Sequence, residues 1–127
     1  MTHRQKQIGE EIKQQRLNKH LSLRKLSAMV IKEDGKSISP AYLNDIEKKN
    51  RIPSAYLIEK IAGALECDPD YLLNLAKKIS PQTERFLLEQ PSIGNLLRKA
   101  QEMGFSDWKA MREMIEAEGK TKKDKKG

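Results

Sequence analysis

The chain has 127 residues and a formal charge of +7 at pH 7. This length fits one ordinary domain, or a small domain with an appendage, and it is too short for most multidomain enzymes. The positive charge favours a polyanionic partner, because a basic surface attracts phosphate groups and releases their counterions. Aromatic residues make up only 5% of the sequence, and Leu, Lys, Glu, Gln and Ala recur in short periodic windows, which predicts an all-α fold.

The residue types present disfavour catalysis, metal binding and membrane insertion. There are two His and one Cys, without a Cys-x-x-Cys spacing, a phosphate-binding glycine loop or a nucleophile motif, so we expect neither an enzyme nor a cofactor. No apolar run reaches the roughly 18 residues of a membrane span, and Met1 to Gln7 is polar, so we expect a cytoplasmic protein without a membrane partner. Cys67 cannot form an internal disulfide and is expected to be a buried thiol.

The first two helices are indicated by apolar residues at helical spacing and by a capping residue. Ile8 and Ile12 fall four apart in a helix that is predicted over residues 8–18. His20 is expected to end that helix in the left-handed conformation, which His tolerates better than most residues. Ser22 is expected to cap a second helix, because its hydroxyl can accept from the unpaired amides of the first turn.

A turn and a third helix follow. Residues 31–37 break the helical period around Asp34-Gly35, where glycine supplies a positive φ, and both a small hairpin and an open loop fit. Ser39 is a suitable cap, and Pro40 has no amide to leave unpaired at the first helical position, so a short helix is predicted over residues 39–49. Its apolar residues form one stripe, which leaves the other face exposed in a basic protein.

Two further helices complete a first domain that is predicted over residues 1–79. Pro53-Ser54 opens the fourth helix, and Asp68-Pro69 caps the fifth. The residues expected in the core of this domain are apolar and lie at helical spacing: Leu26, Leu43, Ile46, Ile61 and Leu65.

The rest of the chain is predicted to form a helical unit over residues 80–119 and a tail over residues 120–127. Helices are expected after Ser80-Pro81, after Pro91-Ser92 and after Ser106-Asp107. The first domain has 15 Lys and Arg against 10 Asp and Glu, the helical unit has 5 against 7, and the tail has 5 against 1. The tail contains no apolar residue, so we expect it to stay unfolded, either as a solvated end or as an arm that contacts DNA.

Four spaced segments resemble the helix-turn-helix domain of the Cro and phage-repressor (XRE) family. They are Leu-Ser-Leu-Arg-Lys-Leu-Ser from Leu21, Ile-Ser-Pro-Ala-Tyr-Leu-Asn-Asp-Ile-Glu from Ile38, Pro53-Ser54, and Ile-Ala-Gly-Ala-Leu from Ile61. The resemblance implies a five-helix DNA-binding domain whose second helix crosses the DNA backbone and whose third helix enters the major groove. Such domains usually bind double-stranded DNA as a homodimer on a pseudo-palindromic operator.

The resemblance also implies roles for individual residues. Arg16 and Glu47 fall where the family has an ion pair between the first and third helices. The resemblance places Ser22, Arg24, Lys49 and Arg51 to contact phosphates, and we add Ser39, the cap of the third helix, and Lys36 of the turn that precedes it. The residues placed to read base edges are Pro40, Ala41, Tyr42, Asn44 and Asp45. Asp45 is equally suited to an intramolecular pair with a Lys or Arg, because phosphates repel a carboxylate.

The sequence departs from the family in the turn between the second and third helices. The family has a single glycine there, whereas residues 31–37 intervene in this chain. Lys32 and Lys36 of this insertion either lie beside the duplex or are simply solvated, and the sequence fits both arrangements.

The second half resembles the helical C-terminal extensions of small repressors in this family, such as the DNA-damage repressors that a partner metalloprotease cleaves. This resemblance implies a dimer interface formed by Leu96, Leu97, Trp108, Met111 and Ile115. The alternative is that the same side chains are buried within one chain.

We therefore predict a sequence-specific transcriptional repressor that acts as a homodimer, with a regulatory partner protein or protease as a further possible partner. One alternative is an antitoxin-type or other module that binds a partner protein through its C-terminal helices. Another is a helix-turn-helix fold used only for protein contacts.

Overall fold

The computed structural model describes residues 6–48 and 51–125, with side chains to residue 121. The helices of this part of the chain are α1 (Ile8–Asn18), α2 (Leu23–Met29), α3 (Pro40–Glu47), α4 (Ala55–Leu65), α5 (Pro69–Leu75), α6 (Pro81–Glu89), α7 (Pro91–Glu102) and α8 (Trp108–Lys125). The predicted all-α class, with five helices in the first domain and further helices after it, is confirmed. None of the described helices has an apolar stretch of the length needed to cross a bilayer.

Serine side chains cap the helices where the sequence predicts them. The Ser39 hydroxyl accepts a hydrogen bond of 3.0 Å from the Tyr42 amide, and Pro40 occupies the first position of α3. The Ser22 hydroxyl accepts from the Lys25 amide of α2 at the same distance. These caps satisfy amides that the first turn of a helix leaves unpaired, so the start of each helix is well defined.

Three helices end beside a residue other than glycine in the left-handed conformation. His20 follows α1 in this conformation, as predicted, and Glu66 and Lys77 do the same after α4 and α5. After α1, the Leu21 amide donates to the Arg16 carbonyl at 3.1 Å across the turn. The turn therefore pairs a carbonyl that the end of the helix would otherwise leave unsatisfied.

The core of the first domain takes apolar side chains from all five of its helices. α1 packs against α3, α4 and α5, while α2 packs against α3 and α4 packs against α5. Burial of each Leu or Ile side chain contributes about 1.5–3 kcal/mol. The prediction of the core is confirmed, because all five residues named for it are fully buried: Leu26, Leu43, Ile46, Ile61 and Leu65.

The insertion between α2 and α3 is a small hairpin, here called the hairpin (residues 31–37). Ile31 and Ser37 form an antiparallel bridge. The Lys32 amide donates to the Lys36 carbonyl at 2.7 Å, and the Gly35 amide donates to the Lys32 carbonyl at 3.0 Å. Gly35 has a φ of +85°, which this tight turn requires and which glycine adopts without steric cost. Of the two arrangements that fit the sequence, the structure forms the hairpin.

The base of the hairpin is anchored in the core. Val30 and Ile38 flank it, both side chains are buried, and the Ile38 amide donates to the Val30 carbonyl at 3.0 Å. Near its tip, the Asp34 carboxylate accepts from the Lys36 amide at 2.9 Å. The hairpin is therefore held at both ends, directly before the start of α3.

The chain divides into two units between Phe86 and Leu87, within α6. The sequence placed this boundary after residue 79, ahead of the predicted start of the same helix. The second unit has little core of its own, because Ala100 is the only buried apolar residue among its described side chains.

Two predicted boundaries differ from the structure. α3 ends at Glu47, earlier than the predicted end at residue 49, and Lys49 lies outside the described residues. α8 continues to Lys125, so the prediction of an unfolded tail is wrong for residues 120–125. Lys is a good helix former, and residues that extend an existing helix do not bear the cost of nucleation, so helix forms there without apolar residues.

Gly9 lets the backbone of α1 approach the end of α3. A Cβ atom at this position would lie 2.3 Å from the Ile46 carbonyl oxygen and 2.9 Å from the Glu47 carbonyl oxygen. Both oxygens belong to the backbone of α3, so an added methyl group could be accommodated only if the two helices moved apart. Sequence alone gives Gly9 no role, because a single glycine in a helical pattern does not indicate which backbone faces it.

We expect Gly9→Ala to lower the free energy of unfolding by about 1–3 kcal/mol, because it overpacks the contact between α1 and α3. Gly63→Ala in α4 is the matched control, because nothing lies within 4 Å of its added Cβ atom. The control should stabilise the protein by about 0.5–1 kcal/mol, since alanine is the better helix former. Urea unfolding followed by far-ultraviolet circular dichroism measures both changes. A stabilising effect of Gly9→Ala would contradict the close approach.

Candidate nucleic-acid interface

One face of α3 presents the residues that were predicted to read bases. Pro40 and Ala41 are exposed, and Tyr42, Asn44 and Asp45 are half-buried. On the opposite side of the helix, Leu43 and Ile46 are fully buried in the core. Asp45 forms no ion pair with any of the described residues, so its intramolecular alternative is not realised among them.

A buried ion pair joins α1 to the last turn of α3. The Arg16 guanidinium donates to both carboxylate oxygens of Glu47, from Nε at 2.7 Å and from Nη2 at 2.9 Å. Its Nη1 donates to the Leu21 carbonyl at 2.8 Å. Arg16 is 7% exposed and Glu47 is 6% exposed. The guanidinium on α1 therefore connects this helix to the turn that follows it, by one hydrogen bond to Leu21, and to α3, by two hydrogen bonds to Glu47.

The Arg16–Glu47 pair fixes the geometry of α3 but contributes little net free energy to folding. The hydrogen bonds to Glu47, and to a lesser extent its negative charge, raise the pKa of Arg16, so the guanidinium remains protonated. The cost of removing two charges from water offsets most of their attraction. Removal of one partner has a larger effect than the pair itself, because it leaves the other charge buried and unpaired.

The start of α2 carries a second group of predicted DNA contacts. Arg24 is exposed in the first turn of α2, and Ser22 is the exposed cap of this helix. The buried Ser27 donates its hydroxyl hydrogen to the Arg24 carbonyl at 3.0 Å. α2 packs directly against α3, so the helix that carries Arg24 is supported by the helix that carries the predicted base-reading residues.

Arg51 lies against Tyr42. The central carbon of the guanidinium is 5.4 Å from the centroid of the tyrosine ring, which is a cation–π geometry. A residue predicted to bind phosphate and a residue predicted to read a base are therefore adjacent. Their spacing in the sequence did not indicate this contact, which depends on the path of the chain after α3.

A concavity of about 450 Å³ lies at the start of α3 and includes Ser39, Tyr42 and Arg51 in its lining. The hairpin contributes Lys32 to this lining, and not the predicted Lys36, whose side chain is exposed elsewhere on the hairpin. The structure thus groups Lys32 with the predicted DNA contacts, whereas the sequence left both lysines open.

The described residues contain no group of three or more His, Cys, Asp or Glu side chains that could hold a metal ion. Cys67 packs against the core, and burial raises the pKa of its thiol. A raised pKa keeps the thiol protonated at neutral pH, which suits a packed side chain better than a reactive one.

An apolar groove lies in the second unit, between α7 and α8. It has a volume of about 240 Å³, and its lining residues are Leu96, Lys99, Ala100, Met103, Phe105, Trp108 and Met111. The rings of Phe105 and Trp108 pack edge to face, with centroids 4.7 Å apart. Of the five residues predicted for a dimer interface, three line this groove, whereas Leu97 and Ile115 are exposed outside it.

A family profile described as helix-turn-helix matches residues 12–72. The structure is similar to that of the P22 c2 repressor protein in complex with a synthetic operator in the presence of Tl⁺, with a TM-score of 0.47 and 26% identity over 54% of this chain and 94% of that chain. It is also similar to a chain of the SinR protein/SinI protein complex, with a TM-score of 0.46 and 27% identity over 91% of this chain and 98% of that chain. Comparison of the sequence with curated proteins gives no match.

We expect Glu47→Gln to lower the free energy of unfolding by about 3–5 kcal/mol, because the buried Arg16 charge loses its partner. Glu66→Gln is the matched control, since the exposed Glu66 pairs with Lys19 at 3.3 Å. Loss of that surface pair should change stability by less than about 1 kcal/mol. Urea denaturation at one pH compares the two variants. Equal effects would mean that the Arg16 pair is no more shielded from water than the surface pair.

Proposed function

Because residues 12–72 are a helix-turn-helix DNA-binding domain of the XRE type, we propose that this protein is a transcriptional regulator that represses from a pseudo-palindromic operator. The observation that carries the proposal is the geometry of α3. Its buried side and its Glu47 carboxylate are fixed to the rest of the domain, while five residues that suit base recognition face outward. A rigid helix with one outward polar face is the element that such domains insert into the major groove.

The outward residues of α3 have complementary chemistry for base edges. The Asn44 amide can donate to adenine N7 and accept from its N6 amino group in a bidentate pair. The small apolar surfaces of Pro40 and Ala41 suit thymine methyl groups, and Asp45 can accept from the N4 amino group of cytosine. These contacts discriminate between sequences, because each base pair presents a distinct pattern in the major groove.

The cations around α3 suit the DNA backbone. Arg24 on α2 and Arg51 after α3 are exposed, and the Ser22 and Ser39 hydroxyls at the two helix starts can each donate to a phosphate oxygen. Lys36 and Lys49 remain further proposed phosphate contacts. Such contacts set the register of the protein on the duplex and provide most of the affinity that does not depend on sequence.

Dimerisation through the second unit is the second part of the proposal. One small DNA-reading domain buries too little surface to select a single site among many, and two linked domains multiply that selectivity. The second unit leaves large apolar side chains in solvent, with Leu96 55% exposed and Ile115 63% exposed. A second copy of the chain would cover them. Occupancy of an operator that overlaps a promoter then excludes polymerase, so repression is the simplest consequence.

The same apolar surface also supports the second candidate function, a module that binds a different protein through its C-terminal helices. The two candidates differ in the mass of the isolated protein. A regulator that dimerises through this surface is a dimer on its own, whereas a partner-binding module is a monomer until the partner is present.

We expect Asn44→Ala to relax base preference at one position of each half-site, at a cost of about 1–3 kcal/mol for the preferred duplex only. Arg24→Gln should instead weaken binding to all duplexes alike and reduce the salt slope by about one for each bound subunit, or about two for a dimer. Asn74→Ala, an exposed position on α5, is the control for the amide change. Selection from random duplexes identifies the site, and anisotropy titrations at several salt concentrations measure both effects. If wild-type protein enriches no sequence even at low salt, the regulator proposal fails.

We expect Leu96→Glu to convert the isolated protein from a dimer to a monomer, because it places a charge in the apolar groove. Leu88→Glu makes the same change at an exposed leucine of α6 that does not line the groove, and it should leave the mass unchanged. Light scattering or sedimentation equilibrium reports the mass of each protein. A monomeric wild type at micromolar concentration would exclude this dimer and leave the partner-binding module.

A further inference from the structure

We propose that the hairpin is a second DNA-contacting element, in which Lys32 binds a backbone phosphate together with Arg51. This inference rests on the proposed function. The site is the concavity at the start of α3, whose polar lining residues come from the hairpin, from α3 and its cap, and from the loop after α3: Lys32, Ser37, Ser39, Tyr42 and Arg51. Each of these side chains can donate a hydrogen bond, and two of them are cations. The remaining lining residues are apolar, so the lining itself includes donors and no Asp or Glu.

The acidic residues of the hairpin line a different concavity. It has a volume of about 300 Å³, and its lining includes Glu33 and Asp34. Lys32 lines both concavities, whereas Arg51, of these two, lines only the one at the start of α3. The lining at the start of α3 therefore contains two cations and no acidic residue.

Lys32 is available to a phosphate although it has an acidic neighbour. Its Nζ is 3.7 Å from a carboxylate oxygen of Asp34, and both side chains are partly exposed to solvent. An ion pair of this length in contact with water contributes little free energy. The other Asp34 oxygen already accepts from the Lys36 amide, so Asp34 keeps its role in the turn when Lys32 turns to an anion.

The position of this site relative to α3 favours a DNA phosphate over a free anion. Arg51 lies against Tyr42, so the concavity is directly beside the face that reads bases. The major groove is about 12 Å wide, close to the diameter of a helix with its side chains, so groups that flank a docked helix meet the bordering phosphates. The anchored base of the hairpin also means that little conformational freedom is lost when Lys32 makes this contact.

The test is the salt dependence of binding to the selected duplex, measured for wild type and for Lys32→Gln, Lys32→Arg and Lys78→Gln. Lys32→Gln should reduce the slope of log K against log salt by about one for each bound subunit, or about two for a dimer, and weaken binding on the order of tenfold per subunit at 0.1 M salt. Lys32→Arg keeps the charge and should retain the slope. Lys78→Gln makes the same charge change in the first unit at an exposed residue outside the concavity, and it should have a smaller effect.

Asp34→Asn provides a second measurement with the opposite sign. It removes a negative charge near Lys32 while its amide oxygen can still accept from the Lys36 amide, so binding should tighten severalfold. A slope for Lys32→Gln equal to that of Lys78→Gln would overturn the inference, even if urea unfolding shows a weaker hairpin. A wild type that prefers no duplex would contradict the proposed function itself. If inorganic phosphate binds at that concavity while Lys32 contributes nothing to DNA binding, the concavity is a free-anion site, and the inference is likewise overturned.

Discussion

The Arg16–Glu47 ion pair holds α3 against α1, and the outward face of α3 owes its orientation to that contact. The guanidinium satisfies both oxygens of Glu47 and a carbonyl in the turn after α1, so it connects three elements through one buried group. Gly9 adds a second constraint of a different kind, since the absence of a side chain lets the α1 backbone reach the carbonyl groups at the end of α3. Hydrogen-bond direction and steric exclusion thus fix the same helix end. A recognition surface held in this way loses little freedom on binding, which favours selectivity.

The two units differ in how they satisfy their apolar residues. The first unit buries Leu and Ile from five helices in one core, and its described Lys and Arg side chains other than Arg16 are exposed or half-buried. The second unit has two long helices, and large apolar side chains of its described residues are exposed to solvent. Attraction to another apolar surface follows from this exposure. A separation of DNA recognition from assembly is therefore consistent with the physical character of each unit.

The hairpin illustrates how local sequence and tertiary position contribute separately. Asp34-Gly35 predicts a turn because glycine accepts the positive φ, and in the structure Gly35 has a positive φ and the Asp34 carboxylate accepts from the Lys36 amide. Which lysine would face α3 depends on the twist of the hairpin and on the burial of Val30 and Ile38 at its base. Those features arise only when the hairpin packs on the core, so nothing in the sequence favoured Lys32, and the prediction named Lys36 instead.

The sequence by itself determined the elements whose causes are local. Serine caps, Pro40 at the first turn of α3, the left-handed His20 and the apolar spacing of Leu26, Leu43 and Ile46 each depend on a few neighbouring residues, and all of them are present in the structure. The pairing of Arg16 with Glu47 came from a family resemblance, because nothing local indicates a pair on two helices with a third helix and the hairpin between them in the sequence. Only the tertiary structure decided the close approach at Gly9, the Arg51–Tyr42 contact and the continuation of α8 to Lys125. These depend on which backbones meet and on whether a helix already exists to extend, and neither condition can be read from residue order.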